Sequence, residues 1–269
     1  MNIGIIGMGL IGGSLAKAYK AGGHDVFGYD IDETILSFAE LSGAINGKLD
    51  EQTIKQCGEI FIAVNPGDAV AYLESVACGI TKNTIVIDCC GVKRYVCDRC
   101  FALAKKYGFI FVGGHPMAGS HNAGFKNSHE NLFRGASMIL VPPVYDDVAL
   151  FGRLEELLKP VGFGRLTFTT AEKHDEMIAF SSQMAHVVSS AFIKSPTAQE
   201  HKGFSAGSYK DLTRVARLSA DMWAELCMNN HDFLIKELDS FIHALTRYRE
   251  TLMEKDEKEL KNLLEEGSR

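Results

Sequence analysis

The first thirty residues constrain this chain most. Asn2-Ile3-Gly4-Ile5-Ile6 is a short apolar run of the kind that forms a buried strand. It leads directly into Gly7-Met8-Gly9-Leu10-Ile11-Gly12-Gly13-Ser14, after which Leu15 to Lys20 read as helix. A second strand, residues 25–29, ends in Asp30. G-x-G-x-x-G lying between a strand and a helix, with an acid 18 residues beyond its last glycine, is the pattern of a dinucleotide site. Gly7 permits the tight turn, Gly9 lets a pyrophosphate approach the backbone, and Gly12 lets helix pack on strand. Met8, Leu10 and Ile11 complete the loop, and the helix start offers N–H groups and a positive dipole end to phosphate. Asp30 would accept hydrogen bonds from the ribose hydroxyls of NAD and repel a 2′-phosphate, so NAD is the expected cofactor.

Further strands are expected at 59–64, 84–88, 109–112, 137–141 and 165–168. Helices are expected at 31–42, 68–78, 92–106 and 147–159, with an irregular loop at 119–135. This alternation implies a mostly parallel sheet with right-handed crossovers, a Rossmann-like α/β domain. Ligands of such sheets bind beyond the carboxyl ends of the strands. Those ends carry Gly7–Gly12, Asp30, Asn65-Pro66, Asp88–Gly91 and His115, so Asn65, Pro66 and Asp88 join the expected cofactor contacts. From Ala171 the strand signal vanishes. The expected division is therefore a dinucleotide-binding domain over 1–170 and an all-α domain over 171–269.

A net charge of −6 argues against a nucleic-acid binder, which would present a basic face. No long apolar run suggests a membrane span, and the N-terminal apolar run breaks at glycine too early for a signal peptide. Seven cysteines without framework spacing fit a reducing cytoplasm. Cys97-x-x-Cys100 has no partner pair and lies in an expected helix, so no metal site is expected.

Two groups in the helical half invite a functional reading. On an expected helix over 172–194, Gln183, His186 and Ser190 fall on one stripe beside Ser182. Such a stripe faces a wet cavity or a ligand; a core histidine satisfied by serines gives the same pattern. Lys210, Arg214 and Arg217 also align, with Asp211 three residues before Arg214. Either this is a solvated face, or Arg214 forks onto a substrate carboxylate while Asp211 holds it. The last helix, with Glu254/Lys258 and Glu257/Lys261, reads as a solvated charged tail.

Gly114-His115-Pro116-Met117-Ala118-Gly119 resembles the signature of the prephenate/arogenate dehydrogenase family. The resemblance extends to Asp88-x-x-Gly-Val-Lys93, His174-Asp175, Ser182 through His186, Asp211 through Ala216, and Met222-Trp223, in order. It implies an NAD-dependent oxidative decarboxylation of prephenate to 4-hydroxyphenylpyruvate in tyrosine biosynthesis. It makes His115 the catalytic base and Arg214 the carboxylate anchor with Asp211 as its orienting partner. His186, Gln183 and Ser182 would line the substrate pocket, and the C-terminal helices would form a homodimer. The sequence departs from the family at Gly91, often serine, at Gln183, often histidine, at His121, often an acid, and at Tyr209-Lys210, usually Phe-Arg. Arogenate is the alternative substrate, and a non-catalytic NAD-binding sensor is the alternative of another class; a sensor needs neither His115 nor Arg214. A β-hydroxyacid dehydrogenase would need a Lys and Asn four apart in 171–194, and that stretch has no such pair.

Overall fold

The computed structural model describes all residues except His121, Lys202 and Arg269, and the side chain of Gln199. The departure noted at His121 therefore lies outside the described residues. The strands are β1 (Asn2–Ile6), β2 (Asp25–Tyr29), β3 (Gly47–Lys48), β4 (Glu59–Ile62), β5 (Ile85–Asp88), β6 (Ile110–Pro116), β7 (Ser137–Val141) and β8 (Arg165–Phe168). The helices of the first half are α1 (Leu10–Ala21), α2 (Glu33–Leu41), α3 (Pro66–Val76), α4 (Arg94–Tyr107) and α5 (Val148–Leu158). Then come α6 (Ala171–Ile178), a π-helical segment (Ala179–Met184), α7 (Ala185–Phe192), α8 (Gly207–Thr213), α9 (Ala220–Met228), α10 (His231–Glu254) and α11 (Glu257–Glu266).

By its contacts the chain forms two compact units, Met1–Asp175 with Leu218–Asn229, and Glu176–Arg217 with Asn230–Arg269. The first unit holds one sheet in the order β3-β2-β1-β4-β5-β6-β7-β8. β4 and β5 are buried along their whole length, as the apolar runs Ile60–Ile62 and Ile85–Ile87 require when helices cover both faces, and Glu59 and Asp88 at their ends are buried with them. Alternation along the strands divides two cores. Phe61, Ile85 and Ile87 face Leu15, Tyr19 and Leu154 on one side. Ile60, Ile62 and Val86 face Leu73, Val96 and Cys100 on the other.

β7 runs antiparallel to β6, and β8 parallel to β7. The reversal falls where the strand–helix alternation lapses, because the described residues between 117 and 136 form no crossover α-helix. β7 also draws Gly113-Gly114-His115-Pro116 into the ladder, opposite Val141, Leu140, Ile139 and Met138. The strand thus continues past the expected end at Val112. The paired glycines read as a breaker, yet they permit close packing: a Cβ on Gly114 would lie 2.3 Å from the Asp88 carbonyl oxygen.

Glu59 opens β4 and is wholly buried. The Tyr19 hydroxyl lies 2.9 Å from the Leu157 carbonyl oxygen and 3.3 Å from Glu59 Oε1. A phenol has one proton, and the shorter bond takes it. Glu59 receives only the longer, weaker donation from Tyr19. Burial pushes its carboxyl well above the ordinary value, against the lowering effect of Tyr19.

α9 belongs with the sheet. The Gly67 N–H, at the start of α3, donates to Glu225 Oε1 at 2.7 Å. Pro66 at the first helical position has no N–H to give, and Asn65 makes no side-chain cap, so Glu225 does the capping.

In the second unit the expected helix over 172–194 is interrupted. The π-helical segment shifts the residues after it out of the α-helical phase, so Gln183, His186 and Ser190 do not share a simple 3.6-residue stripe. α8 ends at Thr213, which leaves Arg217 outside the expected Lys210–Arg214–Arg217 alignment. The C-terminal tail is two helices rather than one. Lys255 breaks the chain with φ 56°, and α11 packs back on α10 through buried Leu263, with Tyr248 Oη donating to the Leu263 carbonyl at 2.9 Å.

Candidate active site

The carboxyl ends of β1, β2, β4 and β5 lie side by side, with Ile6 paired to Tyr29 and Ile62, and Ile62 to Asp88. The strand order reverses between β1 and β4, the position at which open α/β sheets bind ligands. Gly7 turns there with φ +84°, and a Cβ on Gly12 would lie 1.8 Å from the Gly7 carbonyl oxygen. Neither position tolerates a side chain. A Cβ on Gly9 would meet nothing within 4 Å, so the middle of the loop faces open space. Gly9, which has no side chain, caps α1, so the cap residue leaves the N–H groups of that end unclaimed. The half-buried Asp30 carboxylate accepts from the Met8 N–H at 2.7 Å and the Asp32 N–H at 3.0 Å. These bonds fix the carboxylate against the glycine loop and leave lone pairs on both oxygens.

The chemistry of the donors fits a dinucleotide: unclaimed N–H groups at a helix start, a loop without side-chain cover, and an oriented acid at the end of β2. Asn65 is exposed and Pro66 is buried at the neighbouring α3 start.

Asp88, expected to contact the cofactor, is turned inward instead. It is 0% exposed, paired with the equally buried Lys93, and it accepts from the Cys90 N–H at 2.9 Å and the Gly114 N–H at 3.0 Å. Lys93 Nζ also donates to the Gly114 carbonyl at 2.6 Å. Burial alone would lower the Lys93 ammonium, but Asp88 beside it holds it above its usual value. The Asp88–Lys93 pair thus grips Gly114 through both its N–H and its C=O. Sequence reasoning placed Asp88 on the rim because it ends a strand; the signal it underused was Lys93 five residues on.

His115 follows Gly114 on β6, half-buried. Its Nδ1 lies 2.9 Å from His174 Nε2, and His174 Nδ1 lies 2.7 Å from Asp175 Oδ1. Asp175 also accepts from the Lys93 N–H at 2.7 Å and the Arg94 N–H at 2.9 Å. Burial, then His174 and Lys93, push the His115 imidazole well below its ordinary value, so it is neutral at pH 7. Burial also lowers His174, although Asp175 opposes the shift. Burial would raise Asp175, but the His174 ring and the two backbone N–H groups bring it below the usual carboxylate range. His174 and Asp175 had no role in the sequence reading beyond their place in the resemblance. An adjacent His-Asp pair at the first turn of the helical half was the available signal.

Gly91 stands near α9, where a Cβ would lie 3.3 Å from Leu226 Cδ2. Leu226 thus faces the place where the resemblance leads one to expect a serine.

The remaining expected site residues lie in the second unit. Ser182 and Gln183 fall in the π-helical segment, and His186 Nδ1 bonds to the Ser182 carbonyl oxygen at 2.9 Å. Gln183 is 1% exposed, and its Oε1 accepts from Asn230 Nδ2 at 2.8 Å. The expectation that Gln183 lines an open pocket is corrected to a buried tie between the π-helical segment and the start of α10. Ser189 Oγ donates to the Leu212 carbonyl at 2.7 Å, joining α7 to α8, whose end carries Arg214. Asp211 and Arg214 are both exposed, and among the described residues they form no ion pair with each other. The expected orienting contact is not made.

Residues 15–166 match the family described as prephenate dehydrogenase, nucleotide-binding domain, and residues 170–266 match prephenate dehydrogenase, dimerization domain. The chain belongs to the prephenate dehydrogenase family. It is an NAD-dependent dehydrogenase of that family. It is 30% identical to the prephenate dehydrogenase of Bacillus subtilis (strain 168), an alignment covering 95% of this chain and 71% of that one. A solved Synechocystis arogenate dehydrogenase superposes with a TM-score of 0.84 at 25% identity, covering 100% and 98% of the two chains. The prephenate dehydrogenase from A. aeolicus, solved in complex with hydroxyphenyl propionate and NAD+, gives a TM-score of 0.82 at 26% identity, covering 100% and 96%.

Proposed function

We propose that this chain converts prephenate to 4-hydroxyphenylpyruvate with His115 as the base, in the synthesis of tyrosine. The observation that carries the reading is a neutral imidazole on β6, next to the carboxyl-end rim, anchored from behind by His174 and Asp175. Prephenate carries a ring hydroxyl and a ring carboxylate on a cyclohexadiene. His115 takes the hydroxyl proton, the carboxylate leaves as carbon dioxide, and the ring becomes aromatic. NAD+, when bound, supplies the hydride acceptor. A positioned base contributes roughly 10²- to 10⁴-fold, and orientation adds to it.

The backbone of Gly7, Met8, Gly9, Leu10, Ile11 and Gly12 holds the pyrophosphate. Asp30 receives the ribose hydroxyls, and Asn65 and Pro66 border the cofactor at the start of α3. Asp88 acts behind the strand rather than on the cofactor. In residues 171–269, Arg214 forks onto the side-chain carboxylate while His186 and Ser182 line the substrate, with Gln183 supporting their helix. Asp211 stays in this assignment only if substrate draws it onto Arg214.

Arogenate is the alternative substrate, favoured by the likeness to the Synechocystis arogenate dehydrogenase; it differs by an amine beside the side-chain carboxylate. Residues 1–170 serve as the dinucleotide-binding domain and residues 171–269 as the substrate and dimerisation domain. A homodimer through the C-terminal helices is supported by the dimerization-domain match and by the exposed Ile235, Ile242, Leu245 and Leu252 along α10. A cytoplasmic setting is supported by seven free cysteines. Among the described residues no helix is long and apolar enough to cross a membrane.

The test is His115→Asn, assayed with prephenate and with arogenate. The expected outcome is NAD+ binding retained and kcat lowered by roughly 10²-fold or more. In the parent enzyme kcat rises with pH as His115 loses its proton, and that limb lies on the acid side of the ordinary histidine range. In His115→Asn the limb is gone. A variant that melts early but turns over at the parent rate refutes the assignment.

A further inference from the structure

We propose that His174 and Asp175 are positioning residues that hold His115 as the Nδ1–H tautomer, so that Nε2 is the atom that accepts the substrate proton. The inference rests on His115 being the base, and it adds which nitrogen acts and what fixes it.

The argument follows the protons. Asp175 Oδ1 accepts from the Lys93 N–H, and Oδ2 accepts from the Arg94 N–H and, at 3.3 Å, from Arg94 Nε. Three donors converge on one carboxyl, so it is ionised and can only accept. His174 Nδ1, 2.7 Å from Asp175 Oδ1, must then carry a hydrogen. A neutral imidazole has one N–H, so His174 Nε2 presents a lone pair. His115 Nδ1 stands 2.9 Å from that lone pair and must be the donor. The only lone pair left on the His115 ring is at Nε2. The opposite order would set two lone pairs against each other, or require a protonated His174 in a wholly buried place.

The groups around the pair agree with this order. From the α4 start come Lys93 and Arg94, from β5 comes Asp88, from β6 comes His115 itself, and Asp175 adjoins His174 in sequence. The Lys93 ammonium donates to Asp88 and the Gly114 carbonyl, and it disfavours a second cation on either ring. The anion bonded to the pair is Asp175, behind His174. When His115 takes the substrate proton, both its nitrogens carry hydrogen. The Nδ1–H···His174 bond becomes charge-assisted, and the His174 dipole, aligned by Asp175, stabilises the new cation. No proton need move along the chain.

The test pairs a spectrum with kinetics. In ¹⁵N-histidine-labelled enzyme without substrate at neutral pH, His115 should show a protonated Nδ1 and an unprotonated Nε2, and His174 a protonated Nδ1. The signals are assigned by their loss in His115→Asn and His174→Gln. A protonated Nε2 on His115 overturns the proposal. His174→Gln keeps an acceptor toward Nδ1–H and should hold most of kcat, while His174→Phe removes it and should lower kcat by about 10- to 100-fold, part of what a positioned base supplies. KM for NAD+ should stay within about twofold in both, because neither change touches the glycine loop. A folded His174→Phe enzyme with parent kcat overturns the positioning role. If His174→Phe does not fold, His174→Gln decides: a His115 tautomer switched to Nε2–H alongside parent kcat overturns it. A His115→Asn enzyme with parent kcat would instead refute the base, while the tautomer order is still judged from the spectrum.

Discussion

Lys93→Met separates what the buried ion pair does for the fold from what it does for His115. The change removes an ammonium and keeps a side chain of similar length. Asp88 is left with the Cys90 and Gly114 N–H groups but without its counter-charge, at zero exposure. Breaking a buried pair from one side costs about 3–5 kcal/mol. The two remaining donors favour the lower end, about 3 kcal/mol. The melting temperature should then fall by roughly 6–12 °C, since each kcal/mol shifts a domain of this size by about 2–4 °C. The Gly114 carbonyl also loses its 2.6 Å donor, and Gly114 precedes His115, so kcat should fall while KM for NAD+ holds. Adding Asp88→Asn removes the stranded charge but turns an amide NH2 toward one of the two backbone N–H donors, so it should restore part of the stability and not kcat, because the Gly114 carbonyl is still unheld. Urea unfolding followed by circular dichroism, run beside steady-state kinetics, gives both numbers. A Lys93→Met protein within about 1 kcal/mol of the parent, or a double variant no more stable than the single one, would refute this reasoning.

Asp30→Ser should narrow the kcat/KM preference for NAD+ over NADP+, since it removes the charge that repels a 2′-phosphate; a parent enzyme that prefers NADP+ sinks the role given to Asp30. Arg214→Ala should raise KM for prephenate by roughly 10- to 100-fold, the worth of a charged hydrogen bond of about 1.5–3 kcal/mol, and Arg214→Lys should recover only part because an ammonium cannot fork. An unchanged KM would return Arg214 to the solvated face. Glu59 has a folded-state pKa above its unfolded value, so its contribution to stability is fully present at low pH and is lost as pH rises through the folded value. Glu59→Gln, neutral at every pH, should therefore gain on the parent in melting scans from about pH 6 to about pH 10; a gap that does not widen with pH refutes a protonated Glu59.

The glycine loop, Asp30, and most strands and helices of the first half were legible because they are written in local patterns: apolar runs, turn residues and fixed spacing. β3 escaped because Gly47-Lys48 is too short to show a period. Glu59 read as the edge of a strand, since its burial depends on Tyr19, 40 residues away. The inward turn of Asp88 and the His115–His174 contact span 26 and 59 residues of sequence, and no spacing rule reaches that far. Asp211 and Arg214 had the helical spacing of an ion pair, but α8 stops at Thr213 and the pair does not form. In the second half polar residues were read on an ideal helix, and the helix is not ideal.

That irregularity bears on how such a site can change over generations. A π turn closes its hydrogen bonds over one residue more than an α turn, so Ala179–Met184 amounts to an α-helix that has taken in a single extra residue. A π turn winds less per residue, so deleting one residue there would let the backbone regain regular bonding while His186 and everything after it keep their direction. Ser189 would keep its reach to the Leu212 carbonyl. An insertion of one codon is thus taken up within a single turn, and the helical face beyond it stays where it was.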